Sequence, residues 1–294
     1  MPLVTTGELV TRAAAEHSAV AAFNIITLEH VEAVIAGAES ADAPVVLQVS
    51  ENAVKFRYGR LLPLARATVA AAERALVPVA LHLDHVQSDD LLRQAADAGF
   101  SSVMYDAARL PYDRNLAATC AAADWAHAQG LWIEAELGQI GGKAGPGGRD
   151  NCAEPPLDAH APGARTDPAE ARAFVAASGV NALAVAIGST HAMTTRTATL
   201  DHGLLKRLAA ALDVPLVLHG SSGVPDEELA AAVAGGIAKV NVGTALNIAM
   251  TGAIRDFLAA HPEAVDSREY LSVGREAMVR AVTGIIRTVG RPPA

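Results

Sequence analysis

The chain has 294 residues, of which 51% are hydrophobic and only 4% aromatic, so a large core must be built mainly from Ala, Val, Leu and Ile. Its formal net charge of −9 and the lack of a basic cluster exclude a typical nucleic-acid partner, because binding to a phosphate backbone depends on clustered Lys and Arg. No apolar run approaches the roughly 18–20 residues of a membrane span, and the first residues lack a signal-peptide pattern. We therefore expect a cytoplasmic protein without a membrane partner, in which Cys120 and Cys152 are free thiols.

Short runs rich in Val, Ile and Ala alternate with longer segments of helical period. The short runs are nearly continuous in apolar residues, which is typical of strands buried on both faces. The eight runs are residues 20–25, 44–50, 77–85, 100–107, 131–138, 182–188, 215–220 and 237–243. The predicted helices are residues 5–16 before the first strand, then 28–42, 61–75, 88–98, 112–129, 168–178, 201–212, 226–234 and 244–260, and finally 274–289.

Eight alternating units predict an α/β fold, a single-domain (βα)₈ TIM barrel over residues 1–294. An open doubly wound sheet is the alternative, but no G-x-G-x-x-G follows the first strand to support dinucleotide binding. One connection, about residues 139–167, is unusually long and crowded with Gly and Pro. Because it follows strand five on the side where barrel active sites lie, we interpret it as a lid.

Polar residues fall at the C-terminal ends of nearly all the predicted strands. Taken singly, each has an ordinary explanation as a turn or helix-cap residue. In a barrel, however, these positions converge on one mouth, where catalytic residues from different strands meet. The residues are Asn24, Ser50, Asp84, His85, Asp106, Glu136, His219 and Asn241, with His191 three residues after strand six.

Three of these residues, His85, His191 and His219, would suit Zn²⁺, because three neutral imidazoles leave a fourth position open for substrate. His82 lies two residues before Asp84 and therefore on the same strand face, and we assign it a supporting role. Asp84 and His85 are adjacent, so they can share a site only if the strand ends or twists there.

Glycine-rich turns follow strands seven and eight, with the sequences HGSSG (219–223) and NVGT (241–244). Small residues let backbone N–H groups approach an anion, and a helix N-terminus follows each turn. Barrels often bind phosphate at this location. The two turns together favour a phosphate site over ordinary connections.

Eight stretches, in this order, resemble the class II (metal-dependent) ketose-bisphosphate aldolases over nearly the whole chain, and most closely the tagatose- and fructose-bisphosphate aldolase branch. They are AAFNI, QVSENAVKFRYG, LHLDH, SSVMYDA, EAELGQIGG, VAIGSTH, LVLHGSSGV and KVNVGT. The resemblance implies a zinc-dependent carbon–carbon lyase of carbohydrate metabolism, such as glycolysis. It would reversibly cleave a ketose bisphosphate to dihydroxyacetone phosphate and an aldehyde, and act as a homodimer or homotetramer.

The resemblance also implies roles for individual residues. His85, His191 and His219 would bind the catalytic Zn²⁺, Asp84 would be the acid/base, and Asp106 and Glu136 would serve a second metal site. A monovalent cation, Na⁺ or K⁺, would lie near the phosphate. The implied substrate-binding residues are Asn24, Ser50, Ala192, Gly220, Ser221, Ser222, Asn241, Val242, Gly243 and Thr244, with Arg268 and Arg275 as candidates for a distal phosphate.

The chain departs from the family pattern at two places. Lys143 and Ala144 stand where the family has acidic residues, one of which acts as a base, so this base is either missing or supplied by Asp150 or Glu154. Ala192 stands where the family usually has Gly. These departures motivate a second hypothesis, a degenerate member that binds a sugar phosphate, or acts on a different one, without efficient bisphosphate cleavage. Zinc-dependent hydrolysis is a third and weaker hypothesis, because the two glycine-rich turns indicate a phosphate-binding site and not attack by water.

Overall fold

In the computed structural model, which describes residues 2–138, 140 and 164–290, eight parallel strands close into a barrel in chain order. The strands are β1 Val20–Asn24, β2 Val45–Ser50, β3 Val79–Val86, β4 Ser102–Tyr105, β5 Trp132–Leu137, β6 Ala182–Val185, β7 Leu216–Leu218 and β8 Ile237–Val242. The predicted (βα)₈ barrel and its eight strands are therefore confirmed. Nearly the whole of the predicted lid, about residues 139–167, lies outside the described residues, as does Cys152.

Helices surround the barrel, and the described part of the chain contains twelve α-helices and a short 3₁₀ helix, Ser221–Gly223. The α-helices are α1 Thr6–Ala15, α2 Leu28–Ala41, α3 Glu51–Phe56, α4 Leu62–Ala72, α5 Asp89–Leu92, α6 Ala95–Ala98, α7 Tyr112–Ala128, α8 Pro168–Ser178, α9 His202–Ala211, α10 Asp226–Ala234, α11 Thr244–Ala260 and α12 Ser267–Val289. Within the described ranges, no helix is both long and apolar enough to span a membrane.

Three helical predictions need correction. The predicted helix 88–98 is two short helices, α5 and α6, and a helix that was not predicted, α3, follows β2 directly. The predicted C-terminal helix 274–289 begins earlier, at Ser267, where the side chain of Asp266 accepts a hydrogen bond from the Arg268 backbone and caps the helix. At α12 a local cap decides the boundary, and hydrophobic period does not report it.

The barrel interior changes character from bottom to top. At the bottom, Val20, Val46 and Ala80 pack with Leu9 and Val10 of α1, which covers that end of the barrel. Alternate residues of a strand point into the barrel. Above the apolar layer, the next inward positions of β2, β3, β5 and β8 hold polar residues, and so do the positions at the mouth. The polar residues of the middle layer are Gln48, His82, Glu134 and Lys239, and all four are buried.

The long C-terminal helix α12 packs against α2 at a point of close backbone approach. Gly37 of α2 lies so near Val282 that a β-carbon added to the glycine would lie 2.5 Å from Val282 Cγ1 and 3.1 Å from the backbone oxygen of Val279. Thr283 donates a hydrogen bond to the Gly37 oxygen at 3.1 Å. The contact therefore requires a residue without a side chain.

We predict that Gly37→Ala lowers the free energy of unfolding by about 1–3 kcal/mol, because the new methyl group overpacks the contact. The matched control is Gly284→Ala on α12, where an added β-carbon has no atom within 4 Å. It should be neutral or raise stability by up to about 1 kcal/mol, because Ala favours helix over Gly. Denaturant unfolding compares the two; equal effects would contradict the packing described.

Candidate active site

Strand β3 departs from regular geometry at the two residues that must share the mouth. Its register against β4 shifts between Leu83 and Val86, and His85 has a φ of +51°, in the left-handed region. A bulge of this kind re-aims side chains that strict alternation would send to opposite faces. As a result, both Asp84 and His85 line the same cleft at the barrel mouth.

The three predicted histidines meet at this mouth. The ring centroid of His85 lies 5.2 Å from that of His191 and 4.8 Å from that of His219, and the last two are 5.8 Å apart. One ligand atom from each histidine and one oxygen of Glu136 all lie within 4.8 Å of one another. Three imidazoles and a carboxylate in this arrangement fit a divalent metal ion such as Zn²⁺.

Two of the histidines are oriented by carboxylates through the nitrogen that faces away from the cluster. His85 Nδ1 lies 2.8 Å from Asp106 Oδ2, which leaves Nε2 to face the other histidines. His219 Nε2 lies 2.7 Å from Glu134 Oε1, and its Nδ1 faces Glu136 Oε2 at 3.4 Å. Carboxylates placed in this way behind metal-binding histidines fix the ring orientation and the tautomer.

Buried charges beside His219 alter its proton affinity. Burial alone would lower the pKa of His219, but its hydrogen bonds with Glu134 and Glu136 outweigh burial and raise the pKa to about 9. Burial likewise favours the neutral form of Glu134, but Lys239, whose Nζ lies 2.7 Å from Glu134 Oε2, and His219 hold the pKa of Glu134 well below its usual range. The carboxylates that raise the pKa of His219 would also attract a metal cation to this centre.

Asp84 is a buried carboxylate whose two oxygens have different surroundings. Its Oδ2 accepts from Asn24 Nδ2 at 2.9 Å, and Gln48 Nε2 supports Asn24 Oδ1 at 3.0 Å. Its Oδ1 is buried and has no hydrogen-bond partner among the described residues. Burial opposes ionisation, but neighbouring His85 and His219 outweigh it and lower the pKa of Asp84. Asp84 can therefore accept a proton from a group in the cleft.

The cleft has a volume of about 170 Å³ and contains nearly all the predicted substrate-binding residues. Val242 is buried behind it, and Asn52, which was not predicted, joins its wall. Around the metal cluster and Asp84, the lining consists of Asn24, Ser50, Asn52, Ala192, Gly220, Ser221, Ser222, Asn241, Gly243 and Thr244.

The turns after β7 and β8 have the shapes expected of an anion site. Gly220 has a φ of +68°, and a β-carbon there would lie 2.8 Å from the backbone of Thr190, so only glycine fits. Thr244 begins α11, whose first turn points at the cleft. Ala192 adopts a φ of +59°, a conformation that its glycine-like position requires despite its methyl group.

Several sequence-based candidates lie elsewhere. Arg268 pairs with Asp266 and Arg275 with Glu32, and neither lines the described cleft. The candidate loop residues Lys143, Ala144, Asp150 and Glu154 lie outside the described residues.

The sequence reasoning missed Gln48, Glu134 and Lys239, which lie one layer below the mouth. The missed signal is alternation: Glu134 and Lys239 each lie two residues before a polar mouth residue, and His82 has the same relation to Asp84. His82 is fully buried, with Nδ1 2.7 Å from Ser102 Oγ, and burial lowers its pKa to about 3. It contacts β4 and not the cleft, as expected of a supporting residue.

Comparison with known proteins agrees with the geometry. The family model for "Fructose-bisphosphate aldolase class-II" matches residues 4–292. The chain belongs to the class II fructose-bisphosphate aldolase family. It is 36% identical to the fructose-bisphosphate aldolase of Geobacillus stearothermophilus and 35% identical to that of Staphylococcus aureus (strain Mu50 / ATCC 700699), in each case over 99% of this chain and 98% of the relative.

Among solved structures, the chain is similar to the YdjI aldolase from Escherichia coli K12, with a TM-score of 0.82 and 30% identity over 98% of this chain and 97% of that one. The resemblance found in the sequence is thereby confirmed, and the chain is a member of an enzyme family of metal-dependent aldolases, which are carbon–carbon lyases. The cluster of three histidines and Glu136 is the place in this class II aldolase where a metal fits.

We predict that His191→Ala weakens binding of a divalent metal at least tenfold, because it removes one of three imidazole donors. The control is His261→Ala, at an exposed position of the connection after α11, which should leave metal affinity unchanged. Competition with a chromogenic chelator measures both affinities. Equal affinity in the two variants would contradict the assignment of the centre.

Proposed function

We propose that this class II aldolase uses Zn²⁺ to cleave a ketose bisphosphate, such as fructose- or tagatose-1,6-bisphosphate, reversibly to dihydroxyacetone phosphate and an aldehyde. The observation that carries the proposal is the buried Oδ1 of Asp84, which has no hydrogen-bond partner among the described residues, in a residue that lines the cleft beside His85 and His191. A general base for carbon–carbon cleavage has to lie within hydrogen-bond reach of the substrate hydroxyl that loses its proton.

The reaction divides between the ion and Asp84. Held by His85, His191 and His219, Zn²⁺ would supply a positive charge that stabilises the negative charge developing on the substrate ketone as the bond breaks. Asp84 takes the proton of the hydroxyl next to that bond, the carbon–carbon bond breaks, and the aldehyde departs. The electron pair of the bond stays with the dihydroxyacetone phosphate half, and Asp84 returns the proton in the direction of synthesis.

Asn24 and Gln48 support this role of Asp84. By donating to Oδ2, directly and through the Asn24 amide, they fix the carboxylate and leave Oδ1 without a partner among the described residues. Hydrogen bonds to the charged form also favour it, in the same direction as the neighbouring histidines. Asp84 is therefore held ionised and in one orientation before substrate arrives.

The phosphate of the dihydroxyacetone phosphate half is assigned to the turns Gly220–Ser222 and Gly243–Thr244. The described lining of the cleft contains no Lys or Arg, so the anion depends on backbone N–H groups and on the N-terminus of the 17-residue helix α11. A Na⁺ or K⁺ ion beside this phosphate would supply the missing positive charge. Asp150 or Glu154 remains our candidate for the second base.

Two further parts of the proposal concern metal and assembly. Asp106 holds His85, and Glu136 lies among the histidines, so both act on the first metal centre. A second ion at Asp106 and Glu136 remains a prediction. Assembly as a homodimer or homotetramer, a place in glycolysis and a cytoplasmic location also remain predictions.

We predict that Asp84→Ala lowers kcat by at least about 10²-fold, since general acid–base catalysis contributes about 10²–10⁴-fold, while zinc stays bound, because Asp84 is not one of the clustered ligands. The control is Asp256→Ala, at an exposed position of α11. Steady-state cleavage kinetics and zinc titration measure both effects. Unaltered turnover in Asp84→Ala would refute its role as the base.

The second candidate function is a degenerate aldolase, motivated by the strained methyl group of Ala192 in the cleft wall. A panel of ketose mono- and bisphosphates, assayed with and without chelator, separates the candidates. We expect chelator-sensitive cleavage of at least one bisphosphate, restored by added Zn²⁺. Binding of these sugar phosphates without cleavage of any would establish the degenerate member instead.

A further inference from the structure

A chain of three fully buried charged or titratable groups runs beneath the metal centre. Lys239 Nζ lies 2.7 Å from Glu134 Oε2, and Glu134 Oε1 lies 2.7 Å from His219 Nε2. The side chains of Lys239, Glu134 and His219 are all 0% exposed. Neither Lys239 nor Glu134 lines the cleft, so neither can touch a substrate.

The two oxygens of Glu134 serve different partners. Because an ionised carboxylate only accepts hydrogen bonds, Oε1 requires a proton on His219 Nε2, so Nδ1 is the nitrogen that can give up its proton and bind an ion. Nδ1 is the nitrogen that faces Glu136 in the metal cluster. The amide of Asn241 also approaches Nε2, at 3.0 Å, but an amide can present either its oxygen or its NH₂ group, so it does not decide the tautomer.

We infer that Lys239 is a positioning residue of the metal centre: by holding one oxygen of Glu134, it commits the other to His219 Nε2 and so directs the Nδ1 lone pair at the ion. The inference rests on the proposed metal site but not on the aldolase reaction. It differs from a purely structural role in what a variant would change. A structural pair would affect folding and leave the choice of nitrogen unchanged.

Replacement of Glu134 by its amide separates the two roles. The amide of Glu134→Gln has one accepting oxygen and one donating NH₂ group. Lys239 can only donate and takes the oxygen, so the NH₂ group faces His219 Nε2 and forces the histidine proton onto Nδ1, where it blocks metal binding. Adding Lys239→Met removes the competing donor and lets the amide oxygen turn to accept from Nε2–H.

We therefore expect Glu134→Gln to weaken zinc binding by about 10–100-fold, the range for loss of a partner behind a metal ligand. The double variant Glu134→Gln/Lys239→Met should regain zinc affinity: if the single variant binds a hundredfold more weakly than the wild type, the double variant should bind at least tenfold more tightly than the single variant. Competition with a chromogenic chelator measures the affinities, and Lys206→Met and Glu227→Gln, both at exposed positions, are the matched controls. In the zinc-loaded wild type, histidine ¹⁵N NMR should show His219 protonated at Nε2 and bound through Nδ1.

Three results would each overturn the inference. They are wild-type zinc affinity in Glu134→Gln, no recovery of zinc affinity in the double variant, and zinc bound to Nε2 of His219. If Glu134→Gln does not fold, Glu134→Gln/Lys239→Met and Glu134→Leu/Lys239→Met, which both lack the buried charges, give the same comparison. The leucine variant should bind zinc at least tenfold more weakly, and equal binding would refute the inference. Because zinc affinity is the readout, a wild type that binds zinc but cleaves no ketose phosphate would refute the aldolase proposal alone.

Discussion

The bulge in β3 is the constraint on which the site depends. In a regular strand, Asp84 and His85 would face opposite sides of the barrel wall, and either the proton acceptor or a metal ligand would be lost from the mouth. The left-handed conformation of His85 costs on the order of 1–2 kcal/mol, and the fixed barrel around it and the bond to Asp106 maintain it. The strained bulge therefore places Asp84, the proposed base, and His85, a metal ligand, side by side.

Below this bulge, the barrel departs from its usual apolar filling. (βα)₈ barrels commonly fill their interior with branched apolar residues. Here the middle layer contains Gln48, His82, Glu134 and Lys239. Three of the four support a residue of the mouth: Gln48 reaches Asp84 through Asn24, and Lys239 reaches His219 through Glu134. Burial in low dielectric makes such pairs costly to break, so the layer holds the mouth in one arrangement. The geometry needed for proton transfer and metal binding is therefore present before ligands arrive.

The barrel and most of the mouth could be predicted because both depend on short-range regularities. Strand and helix periods alternate along the chain, and polar residues recur where strands end. Pairings across the barrel were not predictable, because nothing local links Glu134 to Lys239, 105 residues away. The left-handed His85 was equally hidden, since the residue is not glycine. The break between α5 and α6 lies in residues that all tolerate helix, so helix propensity does not predict it.

The most direct test is a crystal structure of the zinc-loaded protein with anomalous scattering measured at the zinc edge. Our interpretation predicts one ion within about 2.0–2.1 Å of a nitrogen from each of His85, His191 and His219. It also predicts that Oδ1 of Asp84 stays free to face the cleft beside that ion. An ion bound elsewhere, or His85 turned away from the other two histidines, would contradict the site described for this class II aldolase.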